Sequence, residues 1–117
     1  MITPEPLLFA ALADRTRLAL LARLAERAPQ PTSDLARATD TSRQAVTKHL
    51  TVLAGAGLVR HARVGRQRLW TLDVAPLREV HDWADQLRRQ CSDRLVRTRD
   101  GRPPCGEGEP ERLMVLA

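Results

Sequence analysis

Six basic side chains, Arg43, Lys48, Arg60, Arg63, Arg66 and Arg68, fall between Thr41 and Leu72 with no Asp or Glu among them. Residues 1–40 hold five basic and five acidic groups, and residues 73–117 hold eight and nine. The formal net charge of +5 is therefore the +6 of one short segment less 1 from everything else. Guanidinium groups match phosphate oxygens as planar forks, and each phosphate they neutralise releases condensed counterions. Charge gathered on one segment of an otherwise balanced chain predicts a nucleic-acid partner. The alternative for the same residues is a solvated basic face with no ligand. Aromatics are scarce (Phe9, Trp70, Trp83 and no Tyr). The stacking platforms that single strands and RNA loops require are therefore missing, and double-stranded DNA is the expected partner.

The elements that must position these groups follow from periodicity and punctuation. Pro4 and Pro6 suit a helix start before LLFAALA. Asp14 can cap a second helix, DRTRLALLARLAER, whose Leu18, Leu21, Ala22 and Ala25 repeat at helical spacing. Pro29 and Pro31 end it. Thr32 or Ser33 is expected to cap a short third helix around 35–38, followed by a polar turn of Thr39, Asp40 and Thr41. A fourth helix is expected from Ser42 to about Ala54. It turns Ala45, Val46, Leu50 and Leu53 inward and Arg43, Gln44, Thr47, Lys48 and Thr51 outward. Gly55 and Gly57 stop it. Two short runs, LVRHARV and QRLWTL, flank Gly65-Arg66 and read as a β-hairpin with Arg66 at a tip suited to a minor groove. From about Val74 to the high 90s a long helix resumes on Leu77, Val80, Ala84, Leu87, Cys91 and Leu95.

The fold class expected is mainly α, a winged helix-turn-helix in the order α-α-α-α-β-β-α with a long C-terminal dimerisation helix. Residues 1–99 form this domain, and residues 100–117 form a tail rich in Gly, Pro and Glu. The geometric reason is that an α-helix fits the major groove, where every base pair shows a distinct pattern of donors and acceptors. No apolar run is long enough to span a membrane, no secretion signal is visible, and two cysteines make no disulfide framework. A cytoplasmic location with reduced thiols is expected. No Gly-rich phosphate loop or nucleophile–base pair suggests an enzyme.

ALADRTRLALLARLAE, then TSDLARATDTSRQAVTKHLTVLAGAGLVRHARVGRQRLWTL, resembles the ArsR/SmtB family of bacterial transcriptional repressors over roughly residues 5–97. ALADRTR is similar to that family's ALADPTR junction, with Arg15 where proline is usual. The resemblance implies a winged-helix homodimer that represses by occupying a pseudo-palindromic operator and regulates its own gene. It places Ser42, Arg43, Gln44, Thr47, Lys48 and His49 on the DNA-reading helix. Arg43 and Gln44 would stand near bases, with Ser42, Thr47 and Lys48 on phosphates or adjacent edges, while His49 could instead hydrogen-bond within the fold. Arg63, Arg66 and Arg68 would serve the wing. Pairing through the first and last helices implicates Leu7, Leu8, Leu77, Val80, Ala84, Leu87 and Cys91.

The family's metal sites have no counterpart in this sequence. The thiolate site needs closely spaced cysteines on the third helix, where this chain has Thr32-Ser33-Asp34-Leu35. The last-helix site begins with an element similar to Glu79-Val80-His81, but no further histidine follows it. The segment LWTLDVAPLREVHDWADQLRRQCSDRL resembles a metal-independent branch, which implies no cofactor. Two other readings stay open. One is an arsenical- or redox-responsive repressor using Cys91 and Cys105. The other is a protein-interaction module using the last helix and the apolar end Leu113–Ala117.

Overall fold

The computed structural model describes residues 3–97, with only the backbone described for 93–97. The tail expected over residues 100–117, with Cys105 and Leu113–Ala117, lies outside the described residues. Five helices and three strands follow in the order α1 (Pro6–Leu12), α2 (Arg15–Glu26), β1 (Gln30–Pro31), α3 (Thr32–Ala38), α4 (Arg43–Gly55), β2 (Val59–Val64), β3 (Gln67–Leu72) and α5 (Ala75–Arg97). By internal contacts the chain divides into two compact units, one closing at His81 and the other opening at Asp82.

In the first unit the core is built by the inward faces that helical spacing selects. Leu20, Leu21 and Leu24 of α2, Leu35 and Ala36 of α3, and Val46, Leu50 and Leu53 of α4 are buried together with Leu58, Val59 and Trp70. Burying each large aliphatic side chain contributes roughly 1.5–3 kcal/mol, so the helix-turn-helix and the hairpin are welded into one body. Leu8 and Ala11 of α1 join that core, and Leu77 and Val80 from the first turns of α5 pack against it.

The three strands form an antiparallel sheet in the order β1-β3-β2. Strand β1 was not expected. It is only two residues long and pairs Gln30 with Trp70 and Pro31 with Leu69. A proline is tolerated there because β1 is an edge strand. Gln30 is itself buried, and its side-chain amide donates to the carbonyls of Arg23 at 3.0 Å and Arg27 at 2.6 Å. Those bonds tie Gln30 back to the end of α2, where Arg23 O also accepts from Arg27 N–H at 3.1 Å.

Both helices of the helix-turn-helix end in Schellman-type caps. After α3, Asp40 N–H bonds Arg37 O at 3.3 Å and Thr41 N–H bonds Ala36 O at 3.0 Å. Asp40 takes the left-handed conformation that this cap demands, at φ 51°. After α4, Gly57 at φ 78° does the same, with Gly57 N–H on Ala54 O and Leu58 N–H on Leu53 O, both at 3.0 Å.

In the second unit α5 continues to Arg97. Asp85 binds Arg88 at 3.0 Å and Arg89 at 2.7 Å, one turn further along the helix. Leu87 is exposed, while Trp83 and Cys91 are half-buried.

Candidate nucleic-acid interface

Helix α4 starts where Ser42 accepts a hydrogen bond from Ala45 N–H at 3.1 Å, closing one of the orphan donors of the first turn. Arg43, Gln44, Lys48 and Thr51 are exposed along its outer row, and Thr47 is half-buried. The hydroxyls on that row are already engaged. Thr47 donates to Arg43 O at 2.7 Å and Thr51 donates to Thr47 O at 2.8 Å.

The hairpin turns in two residues, Gly65 and Arg66, between the paired Val64 and Gln67. Gly65 sits at φ 63°, a conformation that costs other residues energy. Register places Arg63 directly opposite Arg68, and His61 opposite Trp70. One face of the hairpin therefore carries His61, Arg63, Arg68 and Trp70. The Arg68 guanidinium lies 5.8 Å from the Trp70 ring centre, and the His61 ring is 4.8 Å from it. Trp70 is itself buried and donates its indole N–H to Thr32 Oγ1 at 2.9 Å. This bond locks the wing to the start of α3. Thr32 or Ser33 was expected to cap that helix, but the helix instead begins at Thr32 after Pro31, with no side-chain cap.

Recognition helix and wing meet in a shared depression of about 260 Å³, lined by Arg43 and Thr47 of α4, Arg63, Arg66, Gln67 and Arg68 of the wing, and Pro31 to Ser33. Four arginines, one from α4 and three from the wing, thus line one concavity. Arg60, at the base of the wing, is the exception among the six basic residues: it pairs with Asp73 at 2.9 Å. Among the described residues no carboxylate stands within ion-pair distance of Arg43, Lys48, Arg63, Arg66 or Arg68. A concave surface of unneutralised arginines is built to receive a polyanion.

His49 makes the contact within the fold that was the alternative to a place in the DNA-reading set. Its ring points to the start of α2, with Nδ1 3.7 Å from Asp14 Oδ2 and 3.4 Å from Arg17 Nη1. Asp14 caps α2 by accepting from Arg17 N–H at 2.9 Å. That backbone bond, then the positive charge of Arg17 and the nearby His49, hold its carboxyl below the ordinary value of 3.8, against some desolvation. Arg17, which carried no assigned role in the sequence reading, donates to Ala11 O at 2.7 Å and Ala10 O at 3.2 Å. The ALADRTR segment is therefore a junction: one arginine closes the end of α1, and the same group reaches the back of α4.

The expected dimer residues differ in exposure. Leu8 is in the core, and Leu77 and Val80 are partly covered by it, which leaves little of Leu8 for a partner. Leu7, Ala84 and Leu87 are exposed.

A helix-turn-helix whose second helix shares a cationic groove with a β-wing defines a winged-helix DNA-binding regulator of transcription. A helix-turn-helix domain family model matches residues 12–62. The HTH-type transcriptional regulator Rv2034 of Mycobacterium tuberculosis is 46% identical over 77 residues, covering 66% of this chain and 71% of that protein. An ArsR-like transcriptional regulator from Rhodococcus sp. RHA1 is 36% identical, with TM-score 0.71, covering 77% of this chain and 82% of that one. The crystal structure of an ArsR family transcriptional regulator, RHA00566, is 30% identical, with TM-score 0.68 over 76% of this chain and 95% of its own. The chain belongs to the ArsR family of transcriptional regulators. These relatives are regulators rather than enzymes.

Proposed function

We propose that this chain is a homodimeric, sequence-specific repressor that occupies a pseudo-palindromic operator through α4 and the wing, without a metal cofactor. The observation that carries the reading is that Arg43, Arg63, Arg66 and Arg68 line one depression. α4 lies in the major groove with Arg43, Gln44 and Lys48 outward, and Arg66 reaches the adjacent minor groove from the wing tip. Exposed leucines on the first and last helices, Leu7 and Leu87, support pairing through those elements. A twofold dimer then sets half-sites about one helical turn, roughly 34–36 Å, apart. Metal independence is supported by the sequence of α3, TSDLARA, which offers no thiolate. Occupancy of an operator before its own gene makes the protein its own repressor.

The test is a fluorescence anisotropy titration on DNA upstream of its own gene, with and without Zn²⁺, trivalent arsenical and oxidant. Specific binding that no additive changes supports the reading, whereas release by any of them overturns metal- and thiol-independence. Light scattering of Leu87→Arg checks the pairing: loss of dimer is expected, and an unchanged dimer removes α5 from the interface.

A further inference from the structure

We propose that Thr47 reads the amino edge of a base rather than anchoring a phosphate, so that it helps set operator specificity. The inference rests on α4 entering the major groove. A hydroxyl has one proton and two lone pairs. The proton of Thr47 is already given to Arg43 O at 2.7 Å. A phosphate oxygen only accepts, so serving one would break that bond to form another and gain little. A base N–H, in contrast, is accepted by the lone pairs with the helix bond intact.

The surroundings of Thr47 point the same way. The depression that it lines also holds Arg43, Arg63, Arg66 and Arg68, and guanidinium groups donate but never accept. Phosphates and the carbonyl edges of guanine and thymine are amply provided with donors there. The exocyclic amino groups of adenine and cytosine are the major-groove features that need an acceptor. Thr47 offers one from the wall of the groove, and its methyl group is the remaining apolar feature.

The experiment measures binding of the wild type, Thr47→Val and Thr47→Ser to operator half-sites varied one position at a time. Valine keeps the branched shape and methyl but loses the hydroxyl, while serine keeps the hydroxyl and loses the methyl. The wild type should favour adenine or cytosine at one position of each half-site by about fivefold, the worth of one neutral hydrogen bond. Thr47→Ser should keep that preference, and Thr47→Val should flatten it at that position alone. Wild-type protein should lose the same fivefold when the preferred base lacks its exocyclic amino group, a measurement that needs no variant to fold. Uniform weakening of Thr47→Val on every sequence would return Thr47 to the phosphates. A preference kept in Thr47→Val and lost in Thr47→Ser would make it a methyl contact. Either result overturns the proposal. An unchanged Thr47→Val profile on an operator that the wild type discriminates overturns it alone, whereas no discrimination anywhere by the wild type overturns the helix reading as well.

Discussion

Arg63 and Arg68 stand directly opposite each other across the β2–β3 ladder, two like charges on a strand pair with no carboxylate between them. Like charges so placed disfavour the free hairpin by roughly 0.2–1 kcal/mol, and a phosphate between them would reverse the sign. Arg63→Thr should therefore leave the free protein as stable as before or up to about 0.5 kcal/mol more stable in urea unfolding. The same variant should lower the slope of log affinity against log salt by about one. Destabilisation with an unchanged slope would show that Arg63 serves the fold and not the DNA.

The wing is held at its base by the bond from the Trp70 indole to Thr32 Oγ1 at 2.9 Å. Thr32→Val keeps the shape and strands a buried donor, which costs about 1–3 kcal/mol. Thermal melts should report that loss, and DNA affinity measured well below the melt should also fall as the wing loosens. A variant as stable as the wild type would mean that water replaces the hydroxyl.

Asp14 ties acid stability to the junction behind α4. The Arg17 amide, then the Arg17 charge and His49, lower its folded pKa from 3.8. Its contribution is thus present above the unfolded value and is lost as pH falls through the lower folded one. Asp14→Asn retains a capping oxygen without the charge. Its stability should fall less steeply than that of the wild type as pH drops below about 4. Parallel acid limbs for the two proteins would rule out this contribution.

Asp40 holds φ 51° at the turn between α3 and α4, where glycine meets no steric cost. Relief of that cost, partly offset by the greater freedom of an unfolded glycine, predicts that Asp40→Gly is stabilising by about 0.5 kcal/mol. Chemical denaturation measures it, and a loss of stability would mean that the carboxyl contributes more than the backbone costs.

Much of this architecture was legible because each element carries two independent signals. α4 has an inward apolar stripe and a glycine stop, and the wing has a Gly-Arg tip between β-forming runs. Charge segregation then marked the face that the fold presents as a groove. Other features were hidden for physical reasons. β1 is two residues long and includes a proline, so no periodicity exists to find it. Thr32 resembled a cap, but a buried indole N–H needs a partner, and Trp70 lies 38 residues away. The resemblance left two roles open for His49, which lies three residues after Val46 and four before Leu53 on the flank of the inward stripe, and spacing alone does not choose between them. Leu77 and Val80 belong to one helical stripe with Leu87, yet the first turns of α5 pack on the core while Leu87 is exposed.

The proposed function requires α4 and the wing to work as one DNA-reading surface. Anisotropy titrations of operator and scrambled duplexes across a salt series, with wild type, Arg43→Ala and Arg66→Ala, test it most directly. Binding by the wild type should weaken steeply with salt. Arg43→Ala should lose about 1–3 kcal/mol of discrimination between the duplexes. Arg66→Ala should weaken both alike and reduce the salt slope by about one. Equal, small losses for the two variants, or binding indifferent to salt, would contradict it.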